Sequence, residues 1–183
     1  MINILPSYSS HNKKNFERIF CLSFFFISSF YFCIKITFFI PPSLSGDGAE
    51  YLLISEAFYN HGTPDIRPED ARGAQNILYG NGDKGMHPYY AGLSGFLKQP
   101  HKLLDQYWGL FASKNSRLYG YHFWFYSLTV VPLIFLLKLL GLNQLLAFQL
   151  TNYLFMLLVL AYIIWFSKLR DKLKMLAMFL FLS

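Results

Sequence analysis

The sequence predicts an all-α membrane protein: three transmembrane helices plus a partial fourth, with a long outer loop containing interfacial helices. Three observations predict it. The 183 residues are 54% apolar and 20% aromatic but only 14% charged, where soluble domains are about a quarter charged. The apolar residues gather into runs of roughly 20, the number that crosses a bilayer. The net charge of +6 lies mostly beside those runs, where headgroups and the insertion machinery favour basic residues. Twenty Phe and thirteen Tyr argue against disorder. No basic patch interleaved with aromatics is present, so nucleic acid is not an expected partner.

Residues 1–18 form an N-terminal tail with Lys13, Lys14 and Arg18 against Glu17. That excess places the tail in the cytoplasm, and the expected location is a bacterial inner (plasma) membrane. Residues 19–40 are the first transmembrane helix, rich in Phe, Ile and Ser, with Lys35 near the outer end where it can snorkel. Ser43-Leu44-Ser45 before Gly46 resembles a signal-peptide cleavage site, but the apolar run exceeds the roughly 7–15 residues of such a signal. Residues 121–140 and 145–166 are the second and third helices, and the tight 141–144 connection makes them an antiparallel hairpin. Residues 41–120 then lie outside and 141–144 inside. The basic cluster Lys168, Arg170, Lys172 and Lys174 falls on the outer side, against the charge rule. A fourth run, 175–183, supplies barely half a span, as in a truncated piece of a longer protein. Membrane lipids and partner membrane helices are the expected neighbours.

The outer loop, 41–120, is nearly neutral, with seven Lys/Arg and eight Asp/Glu. Loops this long are functional or disordered, and this one has helical periodicity. Tyr51, Ile54, Ala57 and Phe58 share one side of a helix, which Gly62 ends. Leu103, Leu104, Tyr107, Trp108 and Phe111 form a second apolar stripe opposite Lys102, Asp105 and Gln106. A short helix over 102–111 of that kind lies flat in the membrane interface.

Asp47 is the focal candidate for chemistry. As an N-cap, with Glu50 three residues on, it makes a variant of the capping box; as a carboxylate between Gly46 and Gly48 it can also approach a hydroxyl or a metal ion. Gly80-Asn81-Gly82-Asp83-Lys84-Gly85 satisfies G-x-G-x-x-G, but lacks the strand and helix of a dinucleotide fingerprint and reads as a loop tip. Asp65, Arg67, Glu69, Asp70 and Arg72 read as a solvated mixed-charge stretch, within which Arg67 is the first candidate to grip a phosphate bidentately. His61 and His122 both fall at the outer boundary. No metalloprotease, paired-cysteine or serine-nucleophile signature is present. The only cysteines, Cys21 and Cys33, supply no metal-site spacing.

Two segments together resemble a known family. Gly46-Asp47-Gly48-Ala49-Glu50-Tyr51-Leu52-Leu53 is followed by Asn60-His61-Gly62-Thr63-Pro64-Asp65, and Tyr119-Gly120-Tyr121-His122-Phe123-Trp124-Phe125-Tyr126-Ser127 runs on to Pro132. After one N-in span, this pattern resembles the polyprenyl-phosphate-sugar-dependent membrane glycosyltransferases of the GT-C class, in the branch of protein O-mannosyltransferases and lipid A aminoarabinose transferases. The resemblance covers roughly residues 15–183. It implies that Asp47 matches the acidic residue essential to sugar transfer, although many members carry Asp-Glu where Gly48 follows here. Glu50, Tyr51, Arg67 and His122 make up the substrate-binding set.

The function expected on these grounds is the N-terminal part of an integral membrane glycosyltransferase. It would move a sugar from a polyprenyl-phosphate donor to an acceptor. Inversion at the sugar needs a base to take the acceptor's hydroxyl proton, and positive charge or a divalent metal for the departing phosphate. Asp47 is the candidate for base or metal partner. A non-catalytic membrane accessory module or remnant is the alternative. A transporter comes third, since no span has charge at its middle.

Overall fold

A computed structural model describes residues 8–44, 46–80, 82, 87–99, 105–169, 173–174 and 176–177. Among them the chain forms α1 (Tyr8–Phe38), α2 (Gly48–His61), β1 (Asp65–Ile66), α3 (Pro68–Gly80), α4 (His87–Phe96), β2 (Gln106–Tyr107), β3 (Leu110–Ala112), β4 (Leu118–Gly120), α5 (Phe125–Leu139) and α6 (Leu146–Trp165). They fall into two compact units, Met1–Ile40 with Asn152–Ser183, and Pro41–Thr151.

The all-α expectation is overturned by a four-stranded antiparallel sheet of order β1-β4-β3-β2. Its strands are two or three residues long, too short to show period-2 alternation. The interfacial helix over 102–111 does not form across its described part. Gln106 pairs with Phe111 and Tyr107 with Leu110, leaving Trp108-Gly109 as a two-residue turn with both φ positive, as a type I′ hairpin requires.

Three transmembrane helices are not found either. Among the described residues α6 alone is long and apolar enough to cross a membrane; the apolar stretches Leu22–Phe38 of α1 and Phe125–Leu139 of α5 are shorter. A 15-residue α5 reaches about 22 Å against a hydrocarbon core of about 30 Å. Its Ser127, Val130, Ile134 and Leu137 are buried, forming a helical stripe where it packs on α2. α5 therefore packs one face against α2, while its other face is apolar and exposed. The 141–144 turn shares a cavity with Gly73, Asn76 and Gly80 of the 41–120 segment. The proposed fourth span, 175–183, lies outside the described residues except for Leu176 and Ala177, as does most of Gly80–Gly85.

In the unit Pro41–Thr151, α2 is the central element. Ala49, Glu50 and every residue from Leu52 to Ala57 are buried, with α3, α5 and β1 packed around the helix. Small hydroxyls permit the close α2–α5 approach: Ser55 Oγ and Ser127 Oγ both donate to the Tyr51 carbonyl, at 2.8 and 3.1 Å. α2 stops as expected at Gly62, whose φ of 72° is left-handed and whose N–H reaches the Phe58 carbonyl. On α4, the Tyr90 hydroxyl donates to the Ala49 carbonyl at 3.1 Å, which pins the start of α2.

The other unit is an apolar seam in which Phe25 and Leu160 are buried among Phe32, Met156, Leu157 and Ile164. Phe25 meets Trp165 edge to face at 6.0 Å, and the Tyr153 hydroxyl donates to the Ser29 carbonyl.

Candidate active site

The first turn of α2, the β2–β3 hairpin and the segment after β4 converge on one cavity of about 410 Å³, lined by Gly46, Asp47, Ala49, Glu50, Tyr89, Trp108, Gly109 and His122. Glu50 is the buried anchor, 4% exposed. Its carboxylate accepts the His122 backbone N–H at 2.7 Å and meets His122 Nδ1 at 2.8 Å. The far side of the same ring, Nε2, lies 3.1 Å from Asp47 Oδ2. The result is a carboxylate–imidazole–carboxylate chain with one buried end and one exposed end. Asp47 is the exposed end, its side chain 66% accessible.

Local backbone chemistry explains why Glu50 fits. Gly109 and Gly120 flank its carboxylate, and a Cβ on either would stand 2.5 Å from one of its oxygens. Glycine at both positions opens the slot, and φ +89° at Gly109 adds a backbone reason of its own. Asp47 and Glu50 are three residues apart on neighbouring turns, so one imidazole can reach both. The capping-box expectation fails here: no side-chain cap bond forms from Asp47 at the head of α2, and Glu50 is committed to His122. The cap's carboxylates have been redirected into the site.

Aromatic rings enclose the group. Tyr51 packs 5.3 Å from the His122 ring and 5.2 Å, edge on, from Tyr126. Tyr107 donates to the Tyr89 carbonyl at 2.6 Å, tying the hairpin to α4. Burial, with the charge of Glu50 and the neighbouring Tyr107 behind it, pushes the Tyr89 pKa up, so Tyr89 stays a neutral phenol. Trp108 is 79% exposed and stands at the rim.

The hydrogen bond to Glu50, reinforced by the charges of Glu50 and Asp47 and opposed by partial desolvation, raises the His122 pKa above 6.5. A raised imidazole pKa means that the folded chain holds this proton more tightly than the unfolded chain. The resulting stabilisation is complete below pH 6.5 and is lost as pH rises through the folded value. The denaturation midpoint should therefore fall across that interval, and His122→Gln should flatten the dependence. An unchanged slope in His122→Gln would refute the pairing.

Arg67 is placed elsewhere. Its Nε donates to Asp65 at 3.1 Å, and it lines a separate cavity with Pro68, Leu97, Ser116 and Arg117. Of the stretch read as solvated, Glu69 and Arg72 are exposed, whereas Asp65, Arg67 and Asp70 form a bonded network. Asp70, fully buried, accepts from Arg67 N at 2.8 Å, from Asn60 Nδ2 at 2.8 Å, and contacts His61 Nε2 at 3.1 Å. The Arg67–Asp70 bond is the reach-back half of a capping box at the start of α3, with Pro68 at the first helical position. Thr63 and Arg67 hold the Asp65 carboxyl below its ordinary pKa despite its burial.

A divalent metal does not fit this donor set. Among the described residues no group of three His, Cys, Asp or Glu side chains could hold one, and both ring nitrogens of His122 face carboxylates instead of a common point. Tyr89 and Gly109 escaped the sequence reading, and Trp108 entered it only as part of an interfacial stripe. The Trp-Gly pair between Tyr107 and Leu110 was the available turn signal. No protein-family model, no curated protein and no solved structure matches the chain.

Proposed function

We propose that this chain carries the acid–base site of a membrane glycosyltransferase that takes its sugar from a polyprenyl-phosphate donor. One observation carries the reading: an exposed carboxylate, Asp47, is oriented by an imidazole that is itself anchored on buried Glu50, at the mouth of a cavity walled by Tyr89 and Trp108. A positioned carboxylate is what an acceptor hydroxyl needs as it attacks the anomeric carbon. The new C–O bond forms as the sugar–phosphate C–O bond breaks, and the hydroxyl proton passes to Asp47. Aromatic faces give a sugar ring apolar surface to pack on, with polar groups fixing its orientation.

His122 acts here as a positioning residue. As an imidazolium it donates from both nitrogens, to Glu50 and to Asp47, and so holds the base in place. Loss of that proton turns the Nε2 lone pair toward Asp47 and releases it. The family resemblance around Gly46–Leu53 supports the substrate class, and the 20-residue α6 supports attachment to a membrane.

The test is sugar transfer from a labelled polyprenyl-phosphate donor, followed across pH with the full chain in membranes. Transfer should decline as pH rises through the raised pKa of His122. Absence of transfer, or a rate unmoved across the His122 titration followed by NMR, would overturn the proposal.

A further inference from the structure

A second cavity, of about 460 Å³, lies in the same unit and is lined by Glu56, Gly73, Asn76, Ile77, Gly80, Lys138 and residues 141–144. Glu56 sits on α2 and is 5% exposed. Its carboxylate has no hydrogen-bond donor among the described residues, and Gly73 is where it presses: a Cβ there would collide with Glu56 Oε2. A carboxylate this enclosed favours a cationic partner, and this one borders a cavity large enough for a small ligand.

The surroundings favour positive charge. The last turns of α3, at Gly80, and of α5, at Lys138, both border the cavity, and helix C-termini carry partial negative charge. Among the described residues the cation at the cavity is Lys138, which acts on Glu56 from the lining and whose ammonium also lies over the Tyr59 ring, 4.3 Å from the centroid. The amides of Asn76 and Gln144 add neutral polar surface.

We propose that this cavity is a binding site for a small ligand bearing a protonated primary amine, whose ammonium donates to Glu56. The groups acting on Glu56 from the packed elements are Lys138 of α5 and Asp70 of α3; Asp65 of β1 is engaged by Thr63 and Arg67. Burial raises the Glu56 pKa to about 7, with Lys138 lowering it and Asp70 raising it. Glu56 ionises as pH rises through that value, and ammonium binding tightens with it. The site is separate from the Asp47–His122 cavity and does not depend on the activity proposed there.

The experiment uses the full chain in detergent, with propylamine as the probe and propanol as its uncharged control of the same shape. Binding is followed by amide NMR shifts around Gly73 and Gly141 and by the rise in denaturation midpoint. Propylamine should bind saturably at pH 8 and more weakly at pH 6, while propanol should not bind. Glu56→Gln, similar in size and uncharged, should weaken propylamine about tenfold or more, the worth of a hydrogen bond to a charged partner. Lys138→Met, which removes the competing cation, should tighten it. No propylamine binding at pH 8, equal binding of propanol, or unchanged binding in Glu56→Gln would overturn the proposal.

Discussion

Asp47→Asn should lower sugar transfer by about 10²–10⁴-fold, the usual contribution of a positioned general base, at unchanged protein level. The substitution keeps the side chain's shape and can still face His122 Nε2, but cannot take a proton. Stability should hardly move, because Asp47 is 66% exposed and makes no cap bond to α2. Transfer is measured at matched membrane expression, with the denaturation midpoint recorded beside it. Equal rates would remove Asp47 from the chemistry and favour a binding role for the cavity. A parallel fall in midpoint and rate would make the residue structural.

Gly109→Ala should destabilise the chain by about 3 kcal/mol and empty the site of its geometry. Two costs combine. A side chain at φ +89° is strained by roughly 1–2 kcal/mol. The new Cβ, 2.5 Å from Glu50 Oε2, also drives the carboxylate off His122, and hydrogen bonds to charged groups are worth about 1.5–3 kcal/mol. Gly62→Ala is the internal control. It has φ +72° with nothing within 4 Å of the new Cβ, so it should show only the strain, roughly 1 kcal/mol. Urea denaturation of both variants separates the terms. Equal losses would show that Gly109 is needed for its turn alone and that Glu50 has room to adjust.

The candidate site was more legible in the sequence than the fold. Asp47 and Glu50 share a helix face by their spacing, and His122 stands beside Tyr121 in a segment where charge is scarce. Gly62 marked the end of α2 because a left-handed stop leaves a glycine signature. The sheet left no comparable trace. Leu110, Phe111 and Ala112 alternate buried, half-buried, buried, but three residues cannot outweigh a nine-residue stripe that also fits a helix. Transmembrane status was over-read at α5 because both of its faces are apolar. Val130 and Ile134 pack inward while Phe135 and Leu139 remain exposed, and hydropathy does not distinguish a protein neighbour from lipid. Arg67 was misplaced for a different reason. Charge in a short stretch reads as solvated until a fully buried Asp70 gathers its backbone N–H and the neighbouring polar groups.

The two halves of the carboxylate–imidazole chain are 72 residues apart in sequence, and that distance sets when the site can exist. α2 closes its own turns locally and early, on the timescale of helix formation. His122 follows β4, which pairs with β1, Tyr119 beside Asp65, a long-range closure whose contacts must offset the lost chain entropy. A chain in which α2 alone has formed carries both carboxylates without their imidazole. The His122–Glu50 bond is thus a long-range contact of this unit, and a chain that has not formed it has the acids but no oriented base.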